Sequence, residues 1–230
     1  NTAISGAINV YAAPVITTQP TGATYCQNIA ATAMSVTATA GGLGTPTYQW
    51  YSNTTNNNSG GTLLTGATSA TYTPSTTTVG TTYYYVTINN GGGAAGCSIL
   101  ASNTAAIVVN DLPVINAISL GTQSICLNAT PANLSVTAST ATGTISSTGY
   151  QWYSNTSAST SGGTPVATTN TFTPPNTNTG ELYYYLTVTN NNGCVATSNV
   201  SGSIKVFGQP TISSLPSTTS YCINAAATTL

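Results

Sequence analysis

Almost every recognisable segment of this chain occurs twice, roughly a hundred residues apart, and that periodicity limits what it can fold into. Tyr48-Gln-Trp-Tyr-Ser-Asn53 returns as Tyr150-Gln-Trp-Tyr-Ser-Asn155, and Ser35-Val-Thr-Ala38 returns at Ser135 to Ala138. Tyr83-Tyr-Tyr-Val-Thr87 returns as Tyr183-Tyr-Tyr-Leu-Thr187, and Cys26 and Cys97 return as Cys126 and Cys194. Solenoid repeats run about 20 to 50 residues, so this spacing means tandem whole domains, each long enough to bury a core.

Within each copy the apolar residues alternate, which is the period of a half-buried strand. Met34, Val36 and Ala38 match Leu134, Val136 and Ala138. Tyr48 and Trp50 share one face of the next strand, Gln49 and Tyr51 the other. Tyr84, Val86 and Ile88 point inward with Tyr83, Tyr85 and Thr87 outward, and Tyr184, Leu186 and Val188 repeat the pattern. Asn90-Gly91 and Asn192-Gly193 then read as hairpin turns, and Ile107 with Val109, matched by Ile204 with Val206, forms the last strand. No stretch shows helical periodicity, so the fold class is all-β.

The last-strand pattern also occurs at Ile8 and Val10, ahead of Pro14, and Pro210 to Leu230 repeats the opening of a copy, including Tyr221-Cys222. The expected organisation is therefore residues 1–13 as the last strand of a preceding domain, 14–112 and 113–209 as complete domains, and 210–230 as the first strands of a following one. Linkers at Pro14, Pro113 and Pro210 are short.

Roughly seven short strands per copy, a Trp in the third strand and a Tyr shortly after a Gly near the sixth together indicate an immunoglobulin-like β-sandwich of Greek-key type. Trp50, Tyr84, Trp152 and Tyr184 are its core anchors, Tyr84 and Tyr184 standing where a tyrosine corner is expected. Two residues beyond each tyrosine, where an antibody domain has its second core cysteine, this chain has Val86 or Leu186. An apolar contact replaces the central cross-link. The cysteines lie instead before the second strand and after the sixth-strand hairpin, so the expected bridges are Cys26 to Cys97 and Cys126 to Cys194, tying one end of each sandwich. Cys222 has no partner in the sequence. A disulfide framework places the chain in an oxidising, extracytoplasmic compartment.

The set Cys26-Gln-Asn, Tyr48-Gln-Trp-Tyr-Ser-Asn53, Gly60-Gly-Thr, Tyr72-Thr-Pro74, Gly80-Thr-Thr-Tyr-Tyr-Tyr-Val86 and Gly96-Cys97 resembles immunoglobulin-like repeats of very large secreted surface proteins of Bacteroidota. The resemblance covers the whole chain. It implies an adhesin or gliding type of protein exported by the type IX system, in which such modules serve as stalks, spacers or adhesive units.

Of 230 residues only Asp111, Glu181 and Lys205 carry side-chain charge, and there is no His. Such a surface cannot neutralise phosphates or hold an anionic bilayer, which excludes nucleic-acid partners. No apolar run reaches the roughly 18 residues of a membrane span, so direct membrane insertion is excluded too. The three charged residues are expected at separate, solvated surface positions, and the abundant Ser and Thr have no His to activate them. The chain is therefore expected to be no enzyme, with no catalytic, cofactor or metal site. Two carboxylates are too few for calcium at each junction.

Outward tyrosines are the remaining chemical feature: Tyr51, Tyr83 and Tyr85, with Tyr153, Tyr183 and Tyr185. Cross-strand pairing accounts for them most simply, and a protein or glycan contact surface is the alternative. The expected function is a structural repeat module of an extracellular bacterial surface fibre or adhesin stalk, its partners other copies of itself or neighbouring repeats in a filament or bundle. Two other readings compete: a carbohydrate-binding adhesive module that uses the tyrosines on surface glycans, and a passive spacer in a large secreted enzyme.

Overall fold

A computed structural model describes residues 6, 12–39, 44–90, 99–119, 121–214, 218 and 220–226. All regular structure among them is β. The first copy contains β1 (Val15–Thr18), β2 (Ala23–Cys26), β3 (Met34–Ser35), β4 (Thr37–Thr39), β5 (Pro46–Asn53), β6 (Thr62–Leu63), β7 (Thr71–Tyr72), β8 (Gly80–Asn90), β9 (Leu100–Ala101) and β10 (Ala105–Asn110). The second contains β11 (Val114–Ser119), β12 (Gln123–Cys126), β13 (Leu134–Ser139), β14 (Tyr150–Asn155), β15 (Thr164–Ala167), β16 (Thr171–Phe172), β17 (Gly180–Thr189), β18 (Val195–Thr197) and β19 (Ile204–Phe207). Ile8, Val10, Gly91 and Cys97, which figure in the sequence reading, lie outside the described residues.

Each copy builds an immunoglobulin-like sandwich, and the two stand in tandem along the chain. In the first, β1 pairs β4 and β3 pairs β7 on one side, while the other sheet runs β2-β10-β8-β5-β6 with β9 on β8. The second repeats this as β11-β13-β16 and β12-β19-β17-β14-β15 with β18 on β17. The first strand of each copy changes sheets midway. In the first copy Val15–Thr18 lies antiparallel to β4, and after Gln19-Pro20 the chain continues as β2, parallel to β10. Gln19 Oε1 accepts from the Asn103 amide at 2.8 Å and fixes that crossing.

Alternation does the sorting. Met34, Val36, Trp50, Tyr84, Val86, Ile88, Ala105, Ile107 and Val109 form one buried cluster, and Leu134, Val136, Trp152, Tyr184, Leu186, Val188, Ile204 and Val206 are buried in the second copy. Each fully buried aliphatic side chain contributes about 1.5–3 kcal/mol. The tryptophans are completely enclosed, and their indole N–H groups donate to the Ser69 and Thr169 carbonyls, both at 2.9 Å, so neither buried donor is stranded.

The chain divides into two compact units. One comprises Asn1–Val114 together with Ala138–Gly149 and Val188–Ala196; the other comprises Ile115–Thr137, Tyr150–Thr187 and Thr197–Leu230. Two loop-bearing segments of the second sequence repeat thus belong to the first unit.

Candidate functional site, the Asp111 and Cys26 cluster

Within the first unit, the residues that follow β10 meet the two segments drawn from the second repeat. Asp111 is the centre of this meeting. The solvated position expected for it is not what the structure holds, because only 7% of its surface is exposed. Its carboxylate accepts from the Thr142 amide at 3.0 Å, the Thr140 hydroxyl at 3.0 Å, the Ala141 amide and the Thr142 hydroxyl. Burial pushes the carboxyl up, but these donors outweigh it and hold the group below its ordinary range. The buried carboxylate is thereby satisfied by donors that a Thr-rich loop supplies.

Asn190 extends the cluster. Its side-chain amide donates to the Asp111 carbonyl at 3.1 Å and to the Thr140 hydroxyl at 3.3 Å. Its Oδ1 accepts from the amides of Asn192 at 3.1 Å and Cys194 at 3.0 Å. The hairpin expected at Asn192-Gly193 is a loop of residues 191–193 closed by the Asn190 and Cys194 backbones at 3.0 Å, with Gly193 left-handed at φ 79°. No property of Asn190, Thr140 or Thr142 in sequence marks them out from the many similar residues around them.

That loop brings Cys194 to Cys26, and the two form a disulfide with Cα atoms 5.5 Å apart. The bridges expected within each copy, Cys26 to Cys97 and Cys126 to Cys194, are corrected by this pairing, and Cys126 is an exposed free thiol. Strand register explains the difference. Cys26 lies level with Asn110 on β10, and the neighbouring Val109 lies level with Gly80, where β8 begins. The second copy has the same registers, Cys126 opposite Phe207 and Gly180 opposite Val206. In the second copy the loop carrying Cys194 is entered from Thr189, nine residues beyond Gly180 along β17. At about 3.3 Å per residue that is ~30 Å away, whereas a disulfide needs Cα atoms within about 7 Å. Cys126 and Cys194 therefore lie at opposite ends of those strands.

The six tyrosines do not form one outward set. Tyr85 and Tyr185 are buried, at 3% and 4% exposure, which corrects their placement on the surface; Tyr51, Tyr83, Tyr153 and Tyr183 are half-buried. Tyr51 stacks on Tyr85 and Tyr153 on Tyr185, with centroids 5.1 and 4.9 Å apart. A glycine pair closes the lid. Gly61 donates its amide to the Tyr85 hydroxyl at 3.0 Å, and Gly163 to that of Tyr185 at 3.3 Å. Inside, burial pushes the Tyr184 phenol up to about 12, and burial, with Tyr72 adding, raises that of Tyr84.

Glu181 and Lys205, read as belonging to different places, stand directly opposite each other on β17 and β19, Nζ to Oε2 3.9 Å. Both remain well exposed, as expected, and Lys205 also lies over the Phe207 ring at 5.3 Å. Beside them a hollow of about 300 Å³ is lined by Pro175, Leu182, Tyr184, Ile204 and Val206. Glu181 also lines it, its carboxylate partnered by Lys205. No helix among the described residues is long and apolar enough to cross a membrane.

Residues 15–111 match the family model described as Domain of unknown function (DUF8696), and residues 113–207 match Ig-like domain CHU_C associated. No curated protein matches the chain. Among solved structures it is similar to immunoglobulin domains 1–4 of Sidekick-1, at 14% identity over 85% of this chain and 49% of that one, TM-score 0.44. It is also similar to the titin I-band fragment I67–I69, at 14% identity over 86% and 67%, TM-score 0.43. The fibronectin(III)-like modules of Clostridium thermocellum CbhA are similar at 12% identity over 85% and 94%, TM-score 0.35. The chain spans about half the length of the Sidekick-1 fragment that it matches.

Proposed function

We propose that this chain is a non-catalytic structural repeat module of an extracellular bacterial surface fibre or adhesin stalk, with domains at 14–112 and 113–209 and other repeats as its partners. The observation that carries this reading is the bridge from Cys26 to Cys194, which joins residues of consecutive sequence repeats and is seated on the buried Asp111 cluster. A covalent tie of that kind resists mechanical separation, which a load-bearing array needs and an isolated binding domain does not. An oxidising compartment outside the cytoplasm is the setting in which it persists. A nearly uncharged surface lacks the edge lysines that usually block sheet-to-sheet association, so copies are suited to bundling.

Electron microscopy of native material tests the proposal. Extended fibres with a domain-scale repeat that survive raised salt are expected, because there are few ion pairs to screen. Compact, separate particles refute it. A glycan-binding role draws support from the half-exposed Tyr51, Tyr83, Tyr153 and Tyr183 alone, since Tyr85 and Tyr185 are covered. Binding on a glycan array that disappears in Tyr83→Ala would favour it over the structural reading.

A further inference from the structure

Three described turns share the sequence Cys-x-Asn: Cys26-Gln27-Asn28, Cys126-Leu127-Asn128 and Cys222-Ile223-Asn224. They also share a backbone. Each asparagine is left-handed, with φ of 64°, 67° and 67°, a conformation that asparagine tolerates better than most side chains. In each, the amide three residues beyond the cysteine, on Ile29, Ala129 or Ala225, donates to the cysteine carbonyl at 3.2, 2.9 or 3.0 Å.

The first two turns are seated on their sandwiches identically. Gln27 donates to the Asn110 carbonyl and Leu127 to that of Phe207, both at 2.8 Å. Asn28 and Asn128 donate to the Thr76 and Asn176 carbonyls at 3.0 and 2.9 Å. Cys126 is therefore presented by its backbone as Cys26 is, yet Cys26 is bonded and Cys126 is an exposed thiol.

We infer that the Cys-x-Asn turn is one half of a two-part covalent fastener, the other half being the Gly-Cys turn after the sixth-strand hairpin, and that Cys126 takes the Gly-Cys cysteine of a further repeat. The bonded pair sets the direction: a Cys-x-Asn turn of one repeat takes Cys194, preceded by Gly193, from the repeat that follows it in sequence. Cys126 belongs to that following repeat, so its partner must come from one more. In a solution of this chain the available half is Cys97, preceded by Gly96, on a second copy.

The bond forms by thiol–disulfide exchange with a small-molecule disulfide such as oxidised glutathione. One cysteine thiolate attacks it and releases one thiolate; the other cysteine thiolate then displaces the second. Two protein thiols are oxidised to one disulfide, their two protons pass to solvent or to the released thiolates, and the oxidant is reduced to two thiols.

The inference takes its partner from the array reading, but its failure would leave the bridge from Cys26 to Cys194, on which that reading stands, intact. Mixed unlabelled and nitrogen-15-labelled chains, incubated with oxidised glutathione, alkylated and digested, give the test by mass spectrometry. The expected products are a Cys26 to Cys194 peptide pair within single chains and a Cys126 to Cys97 pair carrying one label on each peptide. In a Cys222→Ser background, which removes the third Cys-x-Asn thiol, a ladder of oligomers on non-reducing gels should accompany the second pair and be lost on adding Cys126→Ser or Cys97→Ser. An alkylated Cys126 in the oxidised sample, a Cys126 to Cys97 pair with no mixed labels, or Cys126 bonded mainly to Cys126 overturns the inference.

Discussion

Tyr85 lies beneath Tyr51 with the two ring planes 8° from parallel, and its hydroxyl takes the Gly61 amide. The stack is held from above by backbone as much as by aromatic contact. A Cβ at Gly61 would stand 2.7 Å from the Ser52 carbonyl oxygen and 2.9 Å from the Tyr85 ring. The strand carbonyl cannot retreat without loosening the sheet, so Gly61→Ala should cost about 1–3 kcal/mol in urea unfolding. Gly60→Ala meets open space but sits at φ 67°, and the strain alone should cost about 1–2 kcal/mol. Loss of the near-ultraviolet tyrosine signal should accompany the first substitution and not the second. Equal, negligible effects would mean that the lid is not closed.

Asp111 makes stability depend on acid in a defined direction. Its carboxyl titrates below the ordinary 3.8 when folded, so the unfolded chain binds the proton more readily. The stabilisation is complete above that value and drains away as pH falls through the folded value. Unfolding free energy should thus be flat from neutrality down to the ordinary carboxylate range and drop below it. Asp111→Asn should abolish most of that drop while costing about 1–3 kcal/mol at neutral pH, because the Ala141 and Thr142 amides and the Thr140 and Thr142 hydroxyls lose their charged acceptor. Chemical denaturation from pH 7 to pH 2 separates the two curves; an unchanged acid limb in the variant would contradict the assignment.

The exposed pair on β17 and β19 should behave in the opposite way. Glu181→Gln removes a cross-strand attraction between side chains 39% and 47% exposed, and pairs of that exposure contribute less than about 1 kcal/mol. The difference from the parent chain should vanish in molar salt, where the Debye length is ~3 Å. A cost that persists there would mean that Glu181 contributes through the neighbouring hollow instead.

The sandwiches themselves were legible because burial follows period-two alternation, and Trp50, Val86, Ile88 and their counterparts occupy the inward positions that the pattern assigned. Alternation reports only which side of a sheet a residue leaves from. Tyr85 does leave on the outer side, but the lid over it comes from residues 60–61, more than twenty positions away, and the visible trace was the Gly-Gly pair shared by both copies. Cysteine spacing was similarly silent about how far apart Cys126 and Cys194 lie. That follows from parallel pairing of β12 with β19 and from the length of β17, neither of which composition reveals. Asp111 looked like a surface charge because acidic residues seldom lie buried without a cation, and its hydroxyl and amide donors come from a loop some thirty residues later.

The disulfide supplies the sharpest contrast between the two pairings. If each copy were tied to itself, Cys126→Ser and Cys26→Ser would cost the same. With Cys26 bonded to Cys194 across a separation of 168 residues, the entropic model assigns the bridge about 5 kcal/mol of restriction on the unfolded chain. Cys26→Ser and Cys194→Ser should each lower stability by up to that amount, the double variant should cost little more than either single one, and reduction should have no further effect on any of them. Cys126→Ser, at an exposed free thiol, should unfold like the parent chain at concentrations where it is monomeric. Guanidinium unfolding of the parent chain and these four variants, oxidised and reduced, decides between the schemes, and a large loss in Cys126→Ser would restore the pairing within copies.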